Sequence, residues 1–352
     1  MKEMEIADKK IAVYGAGAMG TVLGAFLTEG GVKTHLISRN VAHVAALKKT
    51  GAQISCVADG IEKRIPVEAL LPEEMSDRYD VIFLMTKQRG NRKILTFLSD
   101  YLTDEGIVCI LQNGLPEAAA LEVLDEERIY GGAVSFGANF LGEGRVELTS
   151  NMGAMSIEVG GYQNGNEKTP LLVEILSRAC TVCGNENFVK GTQNLAGARW
   201  SKLAINSAFS GLSVATGLTF GEIAKRRKTR KVALKILWEC MAVAKAAGVT
   251  MAPLQGHDME KLLGGKSAFN RLVAYMVLPF AMKKHKKLRS GMLRDVQNGR
   301  KCEIDFINGA VVKEGKRVGV KTPVCEMLVE MVHGIENGLY ETDYQNVDFF
   351  SI

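Results

Sequence analysis

Lys202, Asn206 and Ser210 recur every four residues in the stretch Trp200-Ser-Lys202-Leu-Ala-Ile-Asn206-Ser-Ala-Phe-Ser210. A helix over these residues lines up the lysine, the amide and the hydroxyl on one face, with neighbouring side chains close together. Leu203, Ala204, Ile205 and Phe209 surround them with apolar faces. Polar groups are costly to bury without partners, so the stripe points to a place where a ligand completes them. A solvent-facing stripe is the ordinary alternative, and the apolar neighbours argue against it. A second polar cluster runs from Ser290 through Asp295, Gly299 and Arg300 to Glu303 and Asp305. Glu303 opens an apolar run, where its charge suits a helix N-terminus, and capping accounts for Glu303 and Asp305 without any chemistry. The chemical alternative sets Lys202 and Glu303 across a cleft, where such a pair protonates a carbonyl oxygen as a hydride reaches its carbon.

A hydride donor has an expected place near the N-terminus. Lys9-Lys-Ile-Ala-Val-Tyr-Gly15-Ala16-Gly17-Ala18-Met19-Gly20 joins a short apolar run to a glycine-rich turn, and an amphipathic segment, Thr21 to Glu29, follows. Strand, tight turn and helix are the context in which G-x-G-x-x-G marks a dinucleotide site. Gly15 permits the turn, Gly17 lets the backbone approach a pyrophosphate, and Gly20 allows close helix–strand packing. The N–H groups opening the helix favour the phosphate charge. After the second strand comes Leu36-Ile37-Ser38-Arg39-Asn40, with no carboxylate to accept from ribose hydroxyls. Arg39 suits a 2′-phosphate and Ser38 donates to it; a surface arginine at a strand end is the ordinary alternative. The expected cofactor is therefore NADP(H) rather than NAD.

These groups need a sheet to hold them. Strands are expected at Lys10–Tyr14, Lys33–Ser38, Asp80–Met85, Ile107–Leu111 and Tyr130–Phe136, with helices at Arg92–Leu102 and Glu117–Leu124. Gly51–Val57 and Arg64–Glu68 read as a paired insertion, Gly144–Leu148 and Met155–Val159 as a final antiparallel pair, and residues 160–167 as a loop. From about Gln193 the texture turns helical: Leu195–Thr216, Arg230–Ala247, Asp258–Leu263, Phe269–His285, Ile304–Arg317 and Val324–Asn337. The expected fold class is α/β, an N-terminal Rossmann-type doubly wound parallel sheet over 1–192 followed by an all-helical C-terminal domain over 193–352. Ligands bind such sheets beyond the carboxyl ends of the strands. Those ends carry Thr86-Lys87-Gln88 and Gln112-Asn113-Gly114. Lys87 and Asn113 there either face a nicotinamide or cap the strands.

Composition excludes several classes. The chain has 352 residues, 47% of them hydrophobic, a net charge of +5, and no apolar run of bilayer-spanning length. Its N-terminus mixes charges and does not read as a signal peptide. Seven scattered cysteines read as reduced core thiols and place the chain in the cytoplasm. Cys180 and Cys183 form a C-x-x-C with no second pair at zinc spacing, so an incidental pair is the expectation and no metal is expected. Basic runs at Lys225–Lys231 and Lys283–Arg289 lack interleaved aromatics and read as solvated faces, ahead of attraction for an anionic cofactor or substrate and well ahead of nucleic acid.

Taken together, Gly15-Ala-Gly17-Ala-Met-Gly20, Thr86-Lys87, Gln112-Asn113-Gly114, Trp200-Ser-Lys202-Leu-Ala-Ile-Asn206, Gly299-Arg300-Lys-Cys-Glu303-Ile-Asp305 and Gly319-Val-Lys-Thr322-Pro323 resemble the ketopantoate reductase (2-dehydropantoate 2-reductase) family over nearly the whole chain. The resemblance implies NADPH-dependent reduction of a 2-oxo acid, in the reference case 2-dehydropantoate to (R)-pantoate on the way to pantothenate and coenzyme A. It implies Lys202 as general acid, and Glu303 as a partner of the substrate hydroxyl that sets the lysine's state. It assigns Asn113 and Asn206 to substrate orientation and Lys87 to cofactor or substrate. Thr86 and Gln112 fall with the cofactor loops, Ser210 and Ser290 with the substrate. Two positions depart from the family pattern: Ser210 stands where a second asparagine is usual, and Gly291 where a serine precedes Met-Leu, with Ser290 one residue earlier. Extra length lies around Met251–Leu288. The alternatives are the same chemistry on another branched 2-oxo acid, or a non-catalytic NADP-binding regulator, against which Lys202 and Glu303 argue. A homodimer through the helical half fits the fold.

Overall fold

The computed structural model describes residues 6–162, 166–253, 256–265, 267–283 and 286–350. The chain forms two compact units, Met1–Leu195 and Ala196–Ile352.

Unit 1 carries twelve strands among its described residues: β1 Ile11–Tyr14, β2 Thr34–Ile37, β3 Ala52–Cys56, β4 Ile61–Ile65, β5 Glu68–Leu70, β6 Tyr79–Leu84, β7 Leu102–Ile110, β8 Ile129–Val134, β9 Ala138–Gly142, β10 Arg145–Leu148, β11 Ile157–Gly161 and β12 Val189–Gly191. Its helices are α1 Ala18–Glu29, α2 Val41–Thr50, α3 Asn91–Ser99, the single turn α4 Glu117–Ala120, and α5 Thr169–Cys183. The main sheet runs β12-β11-β8-β7-β6-β1-β2-β5, and every pairing from β8 to β5 is parallel. Parallel strands buried on both faces need apolar residues at every position, which is why Ile11-Ala-Val-Tyr14 reads as an unbroken run. Ile11 and Val13 pack on one face with Phe26 and Leu172. Ala12 and Tyr14 pack on the other with Leu95 and Leu98. This is the doubly wound arrangement expected from the sequence.

Three local expectations change. Arg64–Glu68 is not one strand: Pro66 follows β4, which pairs with β3, and β5 instead joins the edge of the main sheet beside β2. Gly144–Leu148 and Met155–Val159 are not partners either. β10 pairs with β9 and β3 in a separate four-stranded sheet, while β11 pairs antiparallel with β8. Gly142 and Gly144, both at positive φ, turn β9 into β10, and that short hairpin takes the partner that β11 was expected to be. Glu117–Leu124 shortens to one turn, α4. Of the expected loop over 160–167, residues 163–165 lie outside the described residues.

Unit 2 has no strand among its described residues. Its helices are α6 Leu195–Thr216, α7 Phe220–Lys225, α8 Arg227–Ala246, α9 Met259–Leu263, α10 Ala268–Ala281, α11 Gly291–Gln297, α12 Asn308–Val318 and α13 Pro323–Glu336. α6 spans the 22 residues expected of it. Leu203, Ala204, Ala208, Phe209, Leu212 and Ala215 are buried, as befits a helix apolar nearly all round. Gly211 lets α13 come close: a Cβ there would meet Leu328 Cδ2 at 2.7 Å. The expected helix Ile304–Arg317 is interrupted, because Ile307 takes φ −108°, ψ −86° between a one-turn 3-10 segment, Ile304–Phe306, and α12. α10 stops at Ala281; Lys284 and His285, at the end of its expected span, lie outside the described residues.

Candidate active site

In unit 1 the loops after β1, β2, β6 and β7 meet at the carboxyl ends of the strands. Gly15 sits at φ +103°, and a Cβ on it would strike the Thr86 backbone nitrogen at 2.5 Å. Gly20 is as constrained, since its Cβ would lie 2.4 Å from the Gly15 carbonyl oxygen and 3.3 Å from Val13 Cγ1. Gly17 differs from both. It is exposed, and its Cβ would find nothing nearer than the Gly15 carbonyl oxygen at 4.0 Å. Two glycines thus hold the turn against its neighbours, and the third leaves open room beside the first turn of α1. The backbone N–H groups there lack intrahelical acceptors. Ala16 is buried and its N–H donates to Ile37 O at 2.9 Å, tying the loop to the end of β2, while Ala18 and Met19 are half-buried.

At the end of β2, Ser38 Oγ accepts from Asn40 N–H at 3.3 Å, and Asn40 caps α2 by accepting from His43 N–H at 3.1 Å. Arg39 is exposed at the tip between them. An open glycine, an unblocked helix N-terminus and an exposed arginine without a nearby carboxylate in its loop fit a dinucleotide bearing a 2′-phosphate.

The other rim loops are held by amides. Gln112 is buried; its Nε2 donates to Thr86 Oγ1 at 3.0 Å and to Asn91 Oδ1 at 2.8 Å, and its Oε1 accepts from Asn91 Nδ2 at 2.8 Å. Gln88 Nε2 donates to the Asn113 carbonyl. The Gln112 side chain is therefore committed to fixing the rim, with Lys87 exposed and Asn113 half-buried beside it. Asn91 was not singled out from sequence, and Gln88 appeared only within Thr86-Lys87-Gln88 with no role of its own; an amide pair across two strand ends leaves no spacing pattern. Neither did His43 stand out. It is fully buried, its Nδ1 accepts from Gly144 N–H at 2.9 Å, and its Nε2 pairs with Thr21 Oγ1 at 3.0 Å in the first turn of α1. Burial lowers its pKa and keeps it neutral.

In unit 2, Lys202 and Asn206 are half-buried and Ser210 is buried along α6. Burial drives the Lys202 pKa down to about 7; the Arg199 guanidinium lowers it further, and the Glu303 carboxylate pulls the other way. Arg199, one turn before Lys202 and only 2% exposed, escaped the sequence reading although its i, i+3 spacing was visible. Glu303 makes no cap bond to the 3-10 segment it precedes, so capping does not explain it, and its charge bears on Lys202 instead. Asp305 is exposed and pairs with His333 Nε2 at 2.8 Å. Ser290 caps α11, its Oγ accepting from Met292 N–H at 3.0 Å, and its own N–H meets Ser213 Oγ on α6 at 3.4 Å. Gly291 is exposed, and a Cβ on it would meet nothing within 4 Å.

Other sequence features resolve into packing. Cys180 and Cys183 sit in the last turn of α5 with both thiols raised by burial, and Cys183 Sγ donates to Cys180 O at 3.6 Å; neither is an activated nucleophile. Among the described residues no three His, Cys, Asp or Glu side chains could hold a metal. In the first basic run, Arg230 donates to Ala224 O and Lys225 O and lies 4.4 Å from the Tyr275 ring centroid, Arg226 stacks on Tyr344, and Lys228 pairs with Asp348. In the second, Lys283, Lys286, Lys287 and Arg289 are exposed. No helix among the described residues is long and apolar enough to cross a membrane.

Comparison with known proteins follows the same two-part division. The family model described as "Ketopantoate reductase PanE/ApbA" matches residues 11–183, and its C-terminal companion matches residues 194–336. The chain is 27% identical over 331 residues to the 2-dehydropantoate 2-reductase of Lactococcus lactis, covering 93% of this chain and 98% of that one. It is 25% identical to the enzyme of the same name from Archaeoglobus fulgidus, with 94% and 99% covered. A solved ternary complex of D-mandelate dehydrogenase with NADH and anilino(oxo)acetate superposes with a TM-score of 0.79 at 26% identity, over 94% of this chain and 99% of that one.

Proposed function

The chain belongs to the ketopantoate reductase family, and from that premise we propose that it is an NADPH-dependent oxidoreductase that converts 2-dehydropantoate to (R)-pantoate, a step toward pantothenate and coenzyme A. The observation that carries this reading is Lys202, a half-buried lysine whose pKa desolvation and the Arg199 guanidinium drive down to about 7 against the pull of the Glu303 carboxylate. An ordinary lysine holds its proton too firmly to be a good acid at neutral pH; one matched to the working pH transfers it readily.

The glycine loop, Ser38 and Arg39 hold the cofactor, with Thr86, Lys87 and the Gln112–Asn113 segment at its nicotinamide end. When bound, NADPH supplies the hydride to the substrate's C2 carbonyl carbon. Lys202 Nζ gives its proton to the oxygen that becomes the hydroxyl and regains one from water. Glu303 accepts a hydrogen bond from that hydroxyl and keeps Lys202 from losing its proton too early. Asn113, Asn206, Ser210 and Ser290 are assigned to orienting the substrate.

The reaction is tested by following NADPH oxidation in the near ultraviolet with 2-dehydropantoate, alongside NADH and Lys202→Ala. NADPH-selective turnover lost in the alanine variant supports the assignment. Tight NADPH binding with no lysine-dependent turnover on any 2-oxo acid would leave a non-catalytic binder.

Ser210 and Gly291, which depart from the family's usual asparagine and serine, motivate a second substrate, and the D-mandelate dehydrogenase in the comparison is named for an aryl 2-hydroxy acid. A larger kcat/KM for phenylglyoxylate than for 2-dehydropantoate would move the assignment to bulkier 2-oxo acids. The same reading places the enzyme in the cytoplasm, in keeping with its free thiols, and makes it a homodimer.

A further inference from the structure

Helix α10 is apolar on two faces and buries one. Ala274 and Leu278 are fully buried within unit 2, whereas Phe269 is 72% exposed, Leu272 60%, Val273 37%, Met276 58% and Phe280 76%. At 3.6 residues per turn these five side chains fall within a sector of about 100°, opposite the two buried ones. Aromatic residues and methionine gathered on an exposed surface are the composition of an interface core. A fully buried phenylalanine removes on the order of 150–250 Å². The stripe therefore offers on the order of 500 Å² per protomer, and a face-to-face pair about 1,000 Å², the least a specific interface needs.

The stripe reads alike from both ends. About a midpoint between residues 274 and 275, Phe269 mirrors Phe280 and Val273 mirrors Met276, while Leu272 answers Val277, which is half-buried at the edge of the stripe. An isologous interface needs this property, because each residue must suit the one that its own mirror position supplies. A membrane surface fits less well: an interfacial helix carries a strongly charged face. Arg271 is the one charge in α10, and it is engaged, its Nε donating to Gly265 O at 3.0 Å and its guanidinium lying 5.3 Å from the Trp238 ring centroid.

We propose that α10 is the self-association face: two copies of this chain pair antiparallel across a two-fold axis at residues 274 and 275, Phe269 of one protomer packing on Phe280 of the partner subunit. The inference rests on the homodimer reading above and adds its surface and register. In the antiparallel pair the lysines that follow α10 lie at opposite ends of the interface, so their charges do not meet.

Light scattering across a dilution series of the full chain tests it, with Val273→Glu, Met276→Lys and the double variant. The substituted positions are exposed in the protomer, and circular dichroism with NADPH affinity checks that each variant is folded. The native chain is expected at twice the chain mass. Each single charge should weaken association by at least about tenfold, and the double variant should regain most of it, since the new glutamate then faces the new lysine across the axis. A monomeric native chain overturns the dimer and the face together. A native dimer indifferent to the single variants overturns the face alone, and singles that dissociate without rescue by the double overturn the antiparallel register.

Discussion

Replacing Arg199 with glutamine removes a cation one helical turn from Lys202 while keeping a hydrogen-bonding side chain in its place. Residues three apart on a helix hold their Cβ atoms about 5–6 Å from one another. At roughly 6 Å and an effective dielectric near 20, two unit charges repel by about 3 kcal/mol, or about two pKa units. Solvent that enters beside the smaller side chain screens part of this, so the Lys202 pKa should rise from about 7 by roughly one to two units. The acid is active only while protonated, so kcat/KM in the native chain should fall tenfold per pH unit above about 7. In Arg199→Gln that limb should move to about 8–9. Near pH 9, relative to each protein's own plateau, the variant should retain on the order of ten times more activity. The assay is NADPH oxidation at saturating cofactor and limiting substrate, from about pH 5.5 to about pH 10. An alkaline limb that stays put in Arg199→Gln, or a native profile flat to about pH 9, would refute the role given to Lys202.

Three further outcomes follow from the same geometry. Lys202→Met should stabilise the fold below neutral pH: there the lysine is charged in both folded and unfolded chains and carries its full burial cost. Between about 7 and 10.5 the folded chain sheds a proton that the unfolded chain keeps, and the cost shrinks. The gain at pH 6 should be roughly 1–3 kcal/mol, declining toward pH 10, by chemical denaturation at both pH values. Gly17→Val should weaken NADPH by at least about tenfold at the modest stability cost of a poorer cap on α1, roughly 1 kcal/mol, whereas Gly20→Val should destabilise the fold itself more, by roughly 2 kcal/mol or more. Fluorescence titration and thermal unfolding separate the two, and equal losses of stability would sink the distinction. Arg39→Asp should reduce the NADPH preference over NADH by about 10–100-fold, read as the ratio of kcat/KM values; an unchanged ratio would place the 2′-phosphate elsewhere.

The glycine loop was legible because each of its glycines answers a separate mechanical demand, and the structure shows those demands as three different distances. α6 was legible to its ends because its apolar residues leave no doubt of a buried helix. Strand partnership was less so. β9 carries Phe140 and Leu141 outward, so it shows no alternation, and once it was missed β10 was given the wrong neighbour. The break at Ile307 was hidden because nothing in Glu303-Ile-Asp305-Phe-Ile307 forbids a continuous helix.

The acid itself marks the limit most clearly. The i, i+4 stripe of Lys202, Asn206 and Ser210 announces a polar face, but a lysine at those spacings is compatible with any pKa from ordinary to strongly lowered. What moves it is desolvation first, then Arg199 on its own helix, then Glu303 from a segment about a hundred residues away in sequence. Only the second of these is local. The same burial that makes Lys202 a willing acid near neutrality also makes it a liability to the fold. A substitution that raises stability while abolishing turnover would show both consequences in one protein, and one that changed neither would show that Lys202 is neither the acid nor strongly desolvated.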